Sequence, residues 1–213
     1  MRIRHLPDTL VNQIAAGEVI ERPAAAVKEL VENAIDAGST RVDIDLQAGG
    51  KSLIRVADNG FGMSAQELEA ALDRHATSKL PDDDLLHIDH LGFRGEALPS
   101  IASVARVNIK TCDALSGDGW EITVEGGKKS AVKPSAHPKG TTLEVRDLFY
   151  ATPARLKFLK TERAEFMAVK DTITRLAMAF PQVAFTLTHD GKTALKLAAS
   201  EPLDRLSAIL GKD

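Results

Sequence analysis

Four short stretches of this 213-residue chain carry residue types that could do chemistry together in one site, and they stand in order along it. The first is Glu29-x-x-x-Asn33-x-x-Asp36. At helical spacing a carboxylate, an amide and a second carboxylate fall on one face. The second is Asp58-x-Gly60-x-Gly62, where paired glycines let a backbone turn sharply and approach a ligand closely. The third, Gly92-Phe93-Arg94-Gly95-Glu96-Ala97-Leu98, is a glycine-flanked loop entering a helix, where free N–H groups and the helix dipole favour an anion. The fourth is Gly140-Thr141-Thr142 at the start of a strand. Each has a plain alternative. An ordinary solvated helix face would hold Glu29, Asn33 and Asp36 together with Lys28 and Glu32, and Asp-x-Gly-x-Gly can be a turn and nothing more. There is no Walker-type lysine loop and no Gly-x-Gly-x-x-Gly.

The elements that must position these groups are readable from periodicity. Pro23 opens a helix and Gly38 closes it, with Val27, Leu30, Val31, Ala34 and Ile35 on one apolar arc. A short helix is expected over 8–16, capped by Asp8. Residues 41–46 alternate as a half-buried strand, Gly49-Gly50 turns the chain, and 52–57 return as its partner. Ser64 and Glu67 form a capping-box pattern for a helix reaching about Arg74. From His75 to Gly95 periodicity is lost, and helical spacing resumes over 96–105 with Pro99 in the first turn. Strands are expected at 106–111, 119–125, 130–134 and 141–146, then a helical turn at 152–154 and a long helix over 162–180. Asp190-Gly191 marks a hairpin between 183–188 and 193–197, and a last helix starts at Pro202. Strands that come as hairpins, not alternating singly with helices, predict an α+β two-layer sandwich: a mixed, mostly antiparallel sheet with helices on one face.

Composition narrows the class. With 44% hydrophobic and 27% charged residues the chain reads as one globular domain, or a domain plus a fragment. A net charge of −3 gives no global basic field for nucleic acid. The single cysteine, Cys112, excludes an intrachain disulfide and a thiolate metal cluster. His75, His87 and His90 lack the spacing of a zinc site. No apolar run has membrane-spanning length and no signal-peptide pattern opens the chain, so a cytoplasmic location without a membrane is expected. With only one Trp and one Tyr there is no base-stacking platform for single strands.

Taken together, the four stretches resemble the ATP-binding motifs of the family that contains gyrase, heat-shock chaperone ATPases, histidine kinases and MutL. Longer blocks are similar to MutL-type mismatch-repair proteins: Asn12 to Val19, Glu21-Arg-Pro23, Lys28 to Asn33, Asp36-Ala-Gly38, Arg74 to Lys79, Leu91 to Leu98 and Asp147 to Tyr150. The likeness runs from the N-terminus to at least Phe158. Ala151 stands where the family usually has asparagine, Leu156 where it has a second arginine, and Pro99 is unusual.

The resemblance implies a Bergerat-type fold, ATP or ADP as ligand, and Mg²⁺-dependent hydrolysis. It makes Glu29 the general base, Asn33 the Mg²⁺ ligand and Asp58 the acceptor for the adenine amino group, with Thr141 or Thr142 in support and Gly60 and Gly62 leaving room for the base. Met63, Thr77, Ser78 and Lys79, with Gly92, Phe93, Arg94, Gly95, Glu96, Ala97 and Leu98, join the nucleotide contacts, and about His75 to Gly95 would form a lid. Asp36 remains open between ligand contact and structural acceptor, and Lys79 between the triphosphate and the Asp82-Asp83-Asp84 run. The implied role is a nucleotide-dependent switch that couples mismatch recognition to downstream factors. Its partners would be a mismatch-recognition protein, a strand-nicking endonuclease and a helicase. A homodimer on ATP binding and weak DNA binding are expected, with 1–200 the ATPase unit and 201–213 the start of a truncated second domain that would leave hydrolysis slow. Two other readings stand beside it: a gyrase- or kinase-like relative, and a non-enzymatic module in which ATP is only a switch.

Overall fold

Pro23 begins the first helix, α1 (Pro23–Asp36), where its missing N–H costs nothing. In the computed structural model, which describes residues 5, 16–17, 19–73 and 95–211, α1 ends in a Schellman turn. Gly38 takes φ +69°, its N–H donates to Ile35 O at 2.9 Å, and Ser39 N–H reaches back to Ala34 O at 3.3 Å. Val27, Leu30, Val31 and Ala34 are buried as their spacing requires. Glu32, grouped above with a solvated face, is also buried, because the Lys28 ammonium one turn back closes over it at 2.7 Å.

The remaining elements follow in order. β1 (Arg41–Gln47), a 3₁₀ turn (Ala48–Gly50) and β2 (Leu53–Asp58) form the first hairpin, and α2 spans Ala65–Ala70. Then come α3 (Ala97–Val104), β3 (Arg106–Cys112), β4 (Gly119–Glu125), β5 (Lys128–Lys129), β6 (Lys133–Pro134) and β7 (Gly140–Arg146). The chain goes on through α4 (Pro153–Leu156), α5 (Glu162–Ala179), β8 (Ala184–His189), β9 (Lys192–Leu197) and α6 (Pro202–Leu210). The Ser64–Glu67 capping box is formed. The helix it starts ends at Ala70, short of the expected reach to Arg74, and Lys129 Nζ donates to the Glu69 carbonyl in its last turn and to the Asp73 carboxylate beyond it. The strand expected at 130–134 is instead two exposed two-residue pieces, both on β4. Asp190 and Gly191 both have positive φ, as a type I′ hairpin turn needs. Of the expected helix over 8–16 only Ala16 is described, and most of that segment lies outside the described residues.

Among the described residues nine strands make one sheet, in the order β5-β4-β3-β7-β2-β1-β8-β9 with β6 also on β4. β1 pairs β8 in parallel and the other pairings are antiparallel. The sheet is therefore mixed and mostly antiparallel, with its helices on one face, as the pairing of strands predicted. Val42, Ile44 and Leu46, Ile54 and Val56, Val107 and Ile109, Leu143 and Val145, and Phe185 and Leu187 form the helix-covered face. The opposite face carries ion pairs such as Arg55–Asp45 at 2.8 Å and Arg146–Glu144 at 2.9 Å. A fully buried Ile or Leu contributes about 1.5–3 kcal/mol, an exposed ion pair about 0–1 kcal/mol, so the apolar face sets which way the sheet turns.

Two buried charges join the helices to this sheet. Arg22 Nε and Nη2 donate to Glu165 Oε2 at 3.0 and 2.9 Å, tying the start of α1 to the start of α5. Arg205 of α6, 1% exposed, donates to the carbonyls of Ala177, Pro181, Val183 and Ala198, and burial pulls its guanidinium below the usual arginine range. Removing it leaves the buried carbonyls of Ala177 and Val183 without this donor, while those of Pro181 and Ala198 lie nearer the surface. Arg205→Ala is expected to lower the unfolding free energy by about 2–4 kcal/mol, read from the urea midpoint. A midpoint equal to the parent's would mean that the carbonyls find other donors.

Candidate functional site

Asp58 is the last residue of β2 and lies opposite Val42 of β1, which puts its side chain on the helix-covered face. Its Oδ1 accepts from Gly60 N–H at 2.8 Å and from Ser39 Oγ–H at 3.2 Å. Burial pushes the carboxyl above its ordinary range, and the Gly60 N–H, the Ser39 hydroxyl, the Thr141 N–H and the His137 ring oppose that rise in decreasing order. The loop that follows is locked to the end of α1. Phe61 N–H donates to Ala37 O at 3.0 Å, and Asn59 Oδ1 accepts from the N–H groups of Thr40 and Arg41 at 2.9 Å each.

The glycines are explained by the chain's approach to itself. A Cβ on Gly60 would lie 2.5 Å from Ala37 O, and one on Gly62 (φ +67°) 1.9 Å from Cys112 O. Gly140 (φ +115°) would meet Asp58 O at 2.1 Å. No side chain fits at these three points, so the ends of β2, β3, β7 and α1 close on one another around Asp58. Thr111, fully buried, knits the cluster: Met63 N–H donates to its Oγ1 at 2.9 Å, Gly140 O lies at 3.2 Å and Thr141 Oγ1 at 3.0 Å.

The structure thus brings Asp58, Gly60, Gly62, Met63, Gly140 and Thr141 together. Thr142, one residue on and so on the other face of β7, bonds to His137 Nε2 at 2.9 Å instead. Ser39, Asn59, Thr111 and His137 were not among the residues singled out in the sequence. Ser39 lies one residue past the helix-ending glycine, which was the one available signal.

Glu29, Asn33 and Asp36 line the half-buried side of α1, with Lys28 Nζ 3.8 Å from Glu29 Oε1. Among the described residues no group of three His, Cys, Asp or Glu could hold a metal ion. One neutral amide oxygen at Asn33 suits a hard cation that keeps phosphate and water ligands, which is how Mg²⁺ is bound, and does not suit a protein cage. Gly95 (φ +60°) turns the chain into α3, which begins at Ala97 with Leu98 against the core and packs beside α1. Thr77, Ser78, Lys79, Gly92, Phe93 and Arg94 lie outside the described residues. A cavity of about 470 Å³ near Arg22 and Arg155 and one of about 510 Å³ beside Trp120 share no lining residue with this cluster.

Comparison with known proteins bears on this geometry. The sequence pattern of the histidine kinase-, DNA gyrase B- and HSP90-like ATPases matches residues 20–139. The whole chain is 58% identical to DNA mismatch repair protein MutL of Paramagnetospirillum magneticum and to that of Rhodospirillum rubrum, spanning 36% and 35% of their lengths. The chain therefore spans about a third of the length of the curated relatives it matches. The Aquifex aeolicus MutL ATPase domain complexed with ADP superposes with a TM-score of 0.78 at 35% identity, over 92% of this chain and 71% of that one. The chain belongs to the histidine kinase-, DNA gyrase B- and HSP90-like ATPase family and, within it, to the MutL mismatch-repair ATPase domains.

Proposed function

We propose that the chain binds and hydrolyses ATP as the N-terminal domain of a MutL mismatch-repair protein, with residues 1–200 as the nucleotide-binding unit and 201–213 opening the next. The observation that carries this reading is the Asp58 carboxylate, half-buried, surrounded by donors and set against the end of α1. From Ala37, which touches that loop, back to Glu29 the helix rises about 12 Å at 1.5 Å per residue. A ligand spanning such a distance has a hydrogen-bonding heterocycle at one end and its reacting group at the other, and a nucleoside triphosphate fits.

In this reading Asp58 accepts from the adenine amino group, Thr141 supports it through water, and Gly60, Gly62 and Met63 shape the wall. Guanine presents a carbonyl at that position and is rejected by the carboxylate. Glu29 orients the attacking water and takes its proton, and Asn33 one turn on holds Mg²⁺ beside it. Mg²⁺, when bound, neutralises charge developing on the phosphates. Gly95, Glu96, Ala97 and Leu98 bring the N–H groups of α3 toward the phosphates. Thr77, Ser78, Lys79, Gly92, Phe93 and Arg94 are assigned to phosphate contacts by the family resemblance alone.

The whole protein's task is proposed from the family resemblance. It is a nucleotide-dependent switch in the cytoplasm that dimerises on ATP and couples a mismatch-recognition protein to a strand-nicking endonuclease and a helicase. Within residues 1–213, about a third of the length of the curated relatives, hydrolysis is slow and DNA binding weak.

Glu29→Ala is expected to bind a non-hydrolysable ATP analogue as the parent does while single-turnover hydrolysis falls about 10²–10⁴-fold. Undiminished hydrolysis would favour the reading in which ATP is only a switch.

Asp58→Asn places an amide NH₂ among the donors of Gly60, Ser39 and Thr141, and ADP affinity is expected to fall about ten- to a hundredfold by calorimetry. ADP bound as tightly as by the parent would reduce Asp58 to a turn residue.

The same site has a pH signature. Since burial raises the Asp58 carboxyl, it takes up a proton at a pH above the ordinary carboxylate range, and the protonated form no longer accepts at both oxygens. Parent affinity for ADP is therefore expected to decline as pH falls through that raised value, and the parent-to-Asn ratio to shrink with it. A ratio constant from neutral to acid pH would contradict this.

A further inference from the structure

Thr142 faces away from Asp58, yet it belongs to the same corner of the chain through His137. His137 Nδ1 lies 2.7 Å from Pro138 O, and Nε2 lies 2.9 Å from Thr142 Oγ1. A carbonyl oxygen only accepts, so Nδ1 carries the hydrogen; in the neutral ring Nε2 then accepts the Thr142 hydroxyl proton. The imidazole thus braces the Pro138-Lys139-Gly140 corner at its start and across its exit.

That corner is where β7 meets Asp58. Gly140 stands against the Asp58 carbonyl at a distance no Cβ could occupy, and the next N–H, of Thr141, faces the Asp58 carboxylate. The other flank of the corner is pinned to β4, where Ser135 N–H donates to Gly119 O at 2.8 Å and a Cβ on Gly119 would come within 3.3 Å of His137 N. Between this anchor and the Gly140 contact, the described bonds that close the corner are the two made by the His137 ring. Gly140, at φ +115°, is held from the β3 side by pairing with Cys112 and by Thr111 Oγ1 at 3.2 Å from its carbonyl, which leaves the His137 ring to brace the open side of the corner.

We propose that His137 is a positioning residue for the base-binding end of the site and thereby a determinant of adenine selectivity. Its ring, tied to Pro138 O and Thr142 Oγ1, holds the corner so that Gly140 and Thr141 keep Asp58 oriented as an acceptor. His137 acts through Asp58 and touches no ligand itself. Thr141 and Thr142 then have separate tasks on the two faces of one strand, the first beside the carboxylate and the second as the anchor for the ring. The inference rests on the reading of Asp58 as the adenine acceptor.

Calorimetric titration of the 213-residue chain with ADP and with GDP tests it. His137→Ala is expected to weaken ADP about three- to tenfold and GDP little, so the GDP-to-ADP ratio of Kd falls by the same factor. Thr142→Val should give a similar loss. The double variant should lose no more than His137→Ala alone, because the two residues act through one bond. His137→Gln, whose amide oxygen can reach the Thr142 hydroxyl, should recover most of the ratio. An unchanged ratio in His137→Ala, or losses that multiply in the double variant, would overturn the proposal. If His137→Ala does not fold, Thr142→Val, a near-isosteric change, decides by the same ratio. Asp58→Asn is run in parallel. ADP binding at parent strength there defeats the underlying assignment, whereas loss there with a normal ratio in His137→Ala defeats only the role of His137.

Discussion

A carboxylate partly withdrawn from water needs donors around it, and that constraint at Asp58 organises the end of the sheet. The desolvation that raises its pKa is opposed by donors from three places in the chain: the loop after β2, the residue past the end of α1, and the start of β7. Each donor reaches Asp58 only if the backbone carrying it comes within van der Waals contact of its neighbour. Hence Gly60, Gly62 and Gly140 stand where any Cβ would collide with main-chain oxygen. The Schellman turn at Gly38 is part of the same arrangement, since it delivers Ser39 to the carboxylate. One half-buried charge thus joins a helix terminus, a sharp loop and a strand start, the last far from the others in sequence.

The chemical end of the proposed site is built differently. Glu29 projects from the middle of a regular helix, its side chain still 26% exposed, with the Lys28 ammonium 3.8 Å away and mainly engaged by Glu32. Helical rise alone sets its distance from Asn33 and from the Asp58 loop. Recognition of the base is therefore assigned to a tightly interlocked backbone, and proton transfer to a side chain with room to adjust. The two depend on one element, because α1 is held on the sheet by its apolar arc and tied at its start to α5 by the part-buried Arg22–Glu165 pair.

Much of this was legible in the sequence where the cause is local. The apolar arc of α1, the Ser64 capping box and the Asp190-Gly191 turn depend on residues a few positions apart, and all three formed as read. Hairpin pairing likewise gave the mixed sheet, though not its order, because the parallel pairing of β1 with β8 joins segments more than a hundred residues apart. What failed was non-local. Glu32 looked solvated because burial depends on how Lys28 folds back, and the strand expected at 130–134 broke up because β4 holds it at two separate points. Asp58-x-Gly60-x-Gly62 was expected to make room for a ligand. Gly60 and Gly62 also stand where a Cβ would meet the chain's own backbone, a close approach that spacing does not reveal.

The difference between Thr141 and Thr142 shows why such motifs are under-determined by spacing. The sequence offered two adjacent hydroxyls and no way to choose, since which face of β7 meets Asp58 depends on register. Pairing of Ala57 with Thr142 and of Thr111 with Thr141 sets that register and turns Thr141 inward. A one-residue slip would bring the Thr142 side chain to the carboxylate and move Gly140 off the Asp58 carbonyl, where only glycine fits. The same glycine that permits the close approach therefore also fixes the register. A strand start with Gly-Thr-Thr is specified less by its threonines than by the one position that can hold no side chain.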